Sequence, residues 1–99
     1  MAKLRLSASA RQDLRTIRKE GVEKHGGAAS QRYMFGFDRL FDLLQRHPLA
    51  GQERPEFTQS VRALSHRPYR LLYRVENEMV VVDRMIHMSR DVRRALRGE

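Results

Sequence analysis

The chain has 99 residues, 40% hydrophobic and 32% charged, with a formal net charge of +8 and no cysteine. That length allows one modest core burying roughly 65% of the unfolded surface, so a single domain over 1–99 is expected. The composition excludes a disulfide framework and a cysteine-based zinc site, and no apolar run approaches the roughly 18 residues of a membrane span.

The cations are strongly biased: Lys3, Lys19 and Lys24 are the lysines, and the other 17 are arginine. Arginine stays charged and offers a planar fork that matches carboxylate or phosphate, so an acidic partner is expected. The N-terminus carries no apolar leader before Lys3, and the expected location is cytoplasmic.

In chain order, Leu4 and Leu6 alternate with Lys3 and Arg5, the pattern of a short strand with one buried face. Ser7 or Ser9 can cap the helix that follows, and Ser9 with Gln12 has capping-box spacing. Ala10, Leu14 and Ile17 recur at helical spacing, and Gly21 and Gly26-Gly27 mark the end. A second helix is predicted from near Ala28. Its stripe runs through Ala29, Tyr33, Phe37, Leu40 and Leu44, widened by Phe41 and Leu43, and Pro48 stops it. The short connection implies an antiparallel helical hairpin.

Pro48 to Phe57 reads as a loop, Val61 to Leu64 as a short strand, and Ser65 to Pro68 as a turn. Tyr69, Leu71, Tyr73 and Val75 alternate with Arg70, Leu72 and Arg74, which is strand periodicity. Glu76 to Glu78 is the next turn and Met79 to His87 the last strand. Pairing Val75 with Met79 would set Leu71 opposite Asp83 and Arg70 opposite Arg84. Ser89 can cap a short amphipathic helix in which Val92 and Leu96 share a face and Arg90, Arg93, Arg94 and Arg97 cover the rest. The fold class expected is α+β, a helical hairpin packed on a small antiparallel sheet in β-α-α-β-β-β-α order. The sheet face carrying Arg70, exposed Leu72 and Arg74 is then open, or covered only by the tail or a partner.

The succession Leu6-Ser-Ala-Ser-Ala-Arg-Gln-Asp-Leu14, His47-Pro-Leu-Ala-Gly51, Tyr69-Arg-Leu-Leu-Tyr-Arg-Val75, Val80-Val-Val-Asp-Arg-Met-Ile-His87 and Arg90-Asp91 resembles the ParE branch of the RelE/ParE toxin superfamily. The resemblance covers almost the whole chain. It implies a toxin of a type II toxin–antitoxin pair, held by a cognate ParD-like antitoxin in a hetero-oligomer. ParE-like members are associated with poisoning DNA gyrase, while RelE-like members cut messenger RNA on the ribosome.

Cutting RNA through its 2′-hydroxyl needs a base, cations on the phosphate and an acid for the leaving oxygen. By resemblance Arg70 and Arg90 match arginines of the ribonucleases. The lysines those enzymes carry on the preceding strand are replaced by Val61 and Ala63, and no tyrosine follows Val92. A second ribonuclease set would use Glu53 or Glu56 with Arg70 and His87. The alternative reading is therefore a messenger RNA interferase with Arg70, His87 and Arg90, and a third is an antitoxin-binding module without toxicity.

His25, His47 and His66 lack metal-ligand spacing, Asp13 reads as one half of a structural ion pair, and no cofactor is implied. Direct DNA binding has little support, with no helix-turn-helix and few aromatic residues for stacking. The primary expectation is a gyrase-directed toxin that is not an enzyme. Its target contact is assigned to Arg90, Arg93 and Arg94. Antitoxin contact is assigned to Arg70, Leu72, Arg74 and the outer face of the helical hairpin.

Overall fold

The computed structural model describes residues 1–57, 60–90 and 92–97, and of Arg93 the backbone alone. Asp91 and the side chain of Arg93, both singled out above, therefore lie outside the described residues. The elements are β1 (Lys3–Leu6), α1 (Ala8–His25), α2 (Gly27–Arg46), β2 (Gln52–Glu53), β3 (Arg62–His66), β4 (Tyr69–Glu76), β5 (Met79–His87) and α3 (Val92–Leu96). The strands form one five-stranded sheet in the order β1-β5-β4-β3-β2.

Three pairings are antiparallel, as expected, but β1 lies parallel to β5 with Leu4 beside Val80 and Leu6 beside Val82, so the sheet is mixed. The helical hairpin lies between these two strands in sequence and supplies the crossover that parallel neighbours require. The loop assigned before Phe57 also contains β2, a two-residue edge strand on β3.

Ser7, rather than Ser9, caps α1. Its Oγ accepts from Ala10 N–H at 2.9 Å and donates to the Asp83 carbonyl at 2.8 Å, so the cap is also tied to β5. Gln12 is turned to Arg15 instead. The helix continues through Gly21, whose role is close helix packing: a Cβ there would stand 2.8 Å from Ser30 Oγ. Gly26, at φ 85°, ends α1 with its N–H on the Val22 carbonyl.

The main core lies between the hairpin and one sheet face. Ala10, Ile17, Met34, Phe37 and Leu44 pack on Leu71, Tyr73, Val80, Val82 and Met85. Tyr73 is fully buried. Its hydroxyl donates to the Pro48 carbonyl and accepts from Gly51 N–H, both at 2.8 Å, which fixes the connection between α2 and β2.

At the hairpin's other end His66, placed by sequence in a turn, is the last residue of β3. Its ring stacks on Tyr33 with centroids 4.1 Å apart and its Nε2 meets the Tyr33 carbonyl at 2.7 Å. A Cβ at Gly36 would fall 2.2 Å from that ring, so only glycine allows the contact.

The Tyr33 hydroxyl donates to the His66 carbonyl at 2.7 Å. Burial, then the neighbouring Tyr69 phenol, push the Tyr33 pKa up to about 12. The unfolded chain then loses this proton first, so the stabilisation is full below pH about 10 and falls as pH rises toward 12. Burial also raises Tyr69 and Tyr73, so ultraviolet titration should show all three phenols ionising late, with the Tyr33 step near 12. Tyr33→Phe should remove that step and flatten the loss of stability above pH about 10.

Candidate functional site

The β4–β5 hairpin is closed by Asn77 and Glu78, with Asn77 at φ 58° and Glu76 opposite Met79. The register therefore differs from that expected, by one residue next to the turn, where Val75 faces Val80, and by two farther along, where Arg70 faces Ile86 and Leu72 faces Arg84. Between Leu72 and Tyr73 the register shifts, leaving Asp83 as the extra residue of a bulge. Arg70 and Arg84 are therefore not the cross-strand partners that the expected register made them.

The face carrying Arg70, Leu72 and Arg74 is covered by the tail, as one of the two expectations had it, and also by residues of the loop before β3. A second core of Val61, Leu72, Ile86, Val92 and Ala95 fills it, with Phe57, Ala63 and Leu96 packed around. Leu72, expected to be exposed, is 0% exposed beneath α3. Alternation along one strand cannot reveal this cover, because the covering residues come from the loop before β3 and from the tail.

The cations of this face are engaged within the fold. Arg74 grips Asp83 with Nε to Oδ2 at 2.8 Å and Nη2 to Oδ1 at 3.1 Å, and also pairs with Glu76. Arg84 grips Asp13 with Nε to Oδ2 at 2.7 Å and Nη2 to Oδ1 at 3.1 Å, as the ion-pair reading of Asp13 anticipated. The carboxylate bonds come first in raising the pKa of both arginines. Leu72 is thus covered within the fold, while Arg74 stays partly exposed and lines a groove with its carboxylate partner Asp83. Arg70 is half-buried, with its Cζ 6.0 Å from the centroid of the Phe57 ring, which also carries Arg54 at 4.6 Å.

His87 projects to the opposite side. It faces Tyr69 in the register and meets that ring edge-on at 5.3 Å, on the side of the sheet covered by α1. Ser89 N–H donates to His87 Nδ1 at 3.1 Å, which leaves the ring proton of the neutral form on Nε2. A groove of about 400 Å³ lies there, lined by Asp13, Glu20, Tyr69, His87 and Arg90 among others. Burial, then Glu20, push the Tyr69 phenol up.

The ribonuclease set is therefore split. Arg90 and His87 share one groove, while Arg70 stands beside Phe57 across the sheet. Glu53 is three strands from β5, about 14 Å at ordinary strand spacing, and pairs with Arg62. Glu56 pairs with Arg54.

Of the residues assigned to target contact, Arg90 and Arg94 are exposed at the end of the molecule that carries α3. On the hairpin's outer face, Val22 and Phe35 are 46% and 50% exposed. They line a groove of about 330 Å³ with Arg18, Ser30, Met34 and Asp38. Among the described residues no group of three metal-ligating side chains occurs, and no helix is long and apolar enough to cross a membrane.

Comparison with solved structures gives a chromosomal ParDE toxin–antitoxin system from P. aeruginosa, with a TM-score of 0.77 and 22% identity over 88% of this chain and 96% of that one. The RelBE2 toxin–antitoxin complex from Mycobacterium tuberculosis matches with a TM-score of 0.56 and 27% identity over 87% of this chain and 96% of that one. No curated protein matches the chain. The family model described as the ParE toxin of the type II toxin–antitoxin system parDE matches residues 4–92. With that match spanning both helices of the hairpin and every strand from Leu4 onward, the chain belongs to the ParE family of type II toxin–antitoxin toxins.

Proposed function

We propose that this toxin acts by binding DNA gyrase and trapping its cleaved-DNA complex, rather than as an enzyme in its own right, and that a cognate ParD-like antitoxin neutralises it. The observation that carries this reading is the placement of Arg70 and His87 on opposite faces of the sheet. A reaction at one phosphate needs its base, acid and cations around that phosphate, and this fold distributes them around a five-stranded sheet. The exposed Arg90 and Arg94 suit a charged docking surface, where arginine forks engage carboxylate or phosphate without further chemistry.

Antitoxin contact falls on the helical hairpin. Leu72 is covered by α3 and Arg74 is held by two carboxylates, whereas the Val22–Phe35 groove offers apolar surface with Arg18 and Asp38 beside it. An amphipathic antitoxin helix fits such a groove.

The rival interferase reading draws on the RelBE2 match and on the pairing of His87 with Arg90 in one groove. A supercoiling assay tests the proposal: purified toxin should stop gyrase, and a molar equivalent of antitoxin should restore it. Supercoiling that proceeds unchanged at micromolar toxin would refute the reading.

A further inference from the structure

We propose that Arg84, held by Asp13, is the positioning residue that fixes the C-terminal arginine helix on the sheet. The proposal rests on the reading above, in which that end of the molecule touches the target. The helix α3 has five residues, far too few to be stable alone. Val92 and Ala95 are its buried anchors, and an alanine contributes little apolar area. Hydrophobic contact of that size holds a helix near a surface but does not fix its direction.

Arg84 supplies the direction. Its Nη1 donates to the Ala95 carbonyl at 2.8 Å. That carbonyl lies in the last turn, where no further intrahelical N–H is available, and a cation there also complements the helix dipole. The guanidinium is not free to swing, because its other two nitrogens are locked on Asp13 at 2.7 and 3.1 Å.

Asp13 is itself anchored. It extends from α1 along the part of β5 that lies beyond the end of β1, and its Oδ2 accepts Met85 N–H at 3.0 Å. One chain of contacts thus runs from the first helix through the edge of β5 to the last turn of α3. The pair is largely screened from water, with side chains 18% and 15% exposed, which strengthens charge-assisted bonds.

The test compares the wild type with Arg84→Lys. One ammonium can keep an ion pair with Asp13, but it cannot form a bidentate grip and reach Ala95 as well. Amide exchange measured by mass spectrometry should be about tenfold or more faster in α3, with β4 and β5 protected as in the wild type. Antitoxin affinity should be unchanged, and inhibition of gyrase should fall by about tenfold or more.

Wild-type protection of α3 in the folded variant would overturn the tether. Loosened α3 with undiminished gyrase inhibition would overturn its positioning role, and equal loss of protection throughout the sheet would reduce Arg84 to a general stabilising residue. If Arg84→Lys does not fold, Asp13→Asn serves: it removes the charge that locks the guanidinium and keeps an acceptor for Met85, and the same localised loosening is expected. A wild-type toxin inert toward gyrase would fall on the target assignment, and the exchange comparison would still decide the tether.

Discussion

Replacing Leu72 with alanine should lower the unfolding free energy by about 2–5 kcal/mol, the range for a leucine truncated inside a packed core. Leu72 is 0% exposed and lies beside Ile86 and under Val61, Val92 and Ala95. This second core is small, and its upper layer is a loop residue and a short helix, so the cavity has little rigid material around it. Part of the loss should appear as release of α3, which gives up a main contact of Val92 and Ala95. Urea unfolding followed by circular dichroism measures the free energy, and amide exchange in α3 measures the release. A solvent-exposed Leu72 would give a change within about 0.5 kcal/mol, so a value that small would contradict the covered face.

The second large effect is functional. Replacing Arg90, Arg93 and Arg94 together with alanine should weaken gyrase inhibition by about a hundredfold or more. Arginine is enriched among binding hot spots, and three side chains at about 1–2 kcal/mol each exceed that factor. The expected cost to stability is small. Arg90 and Arg94 are exposed, and alanine favours the helical backbone of α3. A triple variant that unfolds with the wild-type midpoint and inhibits with wild-type potency would remove this surface from the mechanism. Salt dependence gives a parallel check, since potency should fall as ionic strength rises and the triple variant should be less sensitive to it.

Much of what the sequence shows correctly rests on local signals, although Gly21 and Ser65-His66 lie inside α1 and β3 rather than at a helix end and in a turn. Apolar spacing along α2, Pro48 after its end and the alternation of Tyr69 to Val75 each report the immediate surroundings of a residue, and those elements stand where that spacing puts them. The parallel pairing of β1 with β5 has no such signal, because Leu4 and Val80 meet only after the whole chain has folded around them.

The register error has a physical cause as well. Asn77 can adopt positive φ, which permits a tight turn closed by Glu76 and Met79; this moves the partners of Tyr73 to Val75 by one residue, and the bulge adds a second residue from Leu72 to Tyr69. The bulge at Asp83 then turns both Asp83 and Arg84 toward groups on the α3 side. Counting alternate residues cannot anticipate a bulge.

The candidate site was legible in composition more than in arrangement. An excess of arginine announces an anionic partner, but not which arginines are already committed. Arg74 and Arg84 are held by Asp83 and Asp13, and the second of those carboxylates is on another element 71 positions away. His66 looked like a turn residue, yet the missing Cβ of Gly36 makes room for its ring in the interior. For Arg84 and His66 the decisive neighbour is distant in the chain, and for Arg74 it is brought opposite by the bulge.

The central claim is that the toxin jams gyrase and does not cut RNA. The most direct measurement adds the purified protein in parallel to a gyrase supercoiling reaction and to a translating ribosome extract, and reads DNA breaks in one and messenger RNA ends in the other. The account predicts inhibited supercoiling with accumulated cleaved DNA and intact message. Codon-linked cuts in the message with normal supercoiling would contradict it, and silence in both reactions would leave an antitoxin-binding module without toxicity.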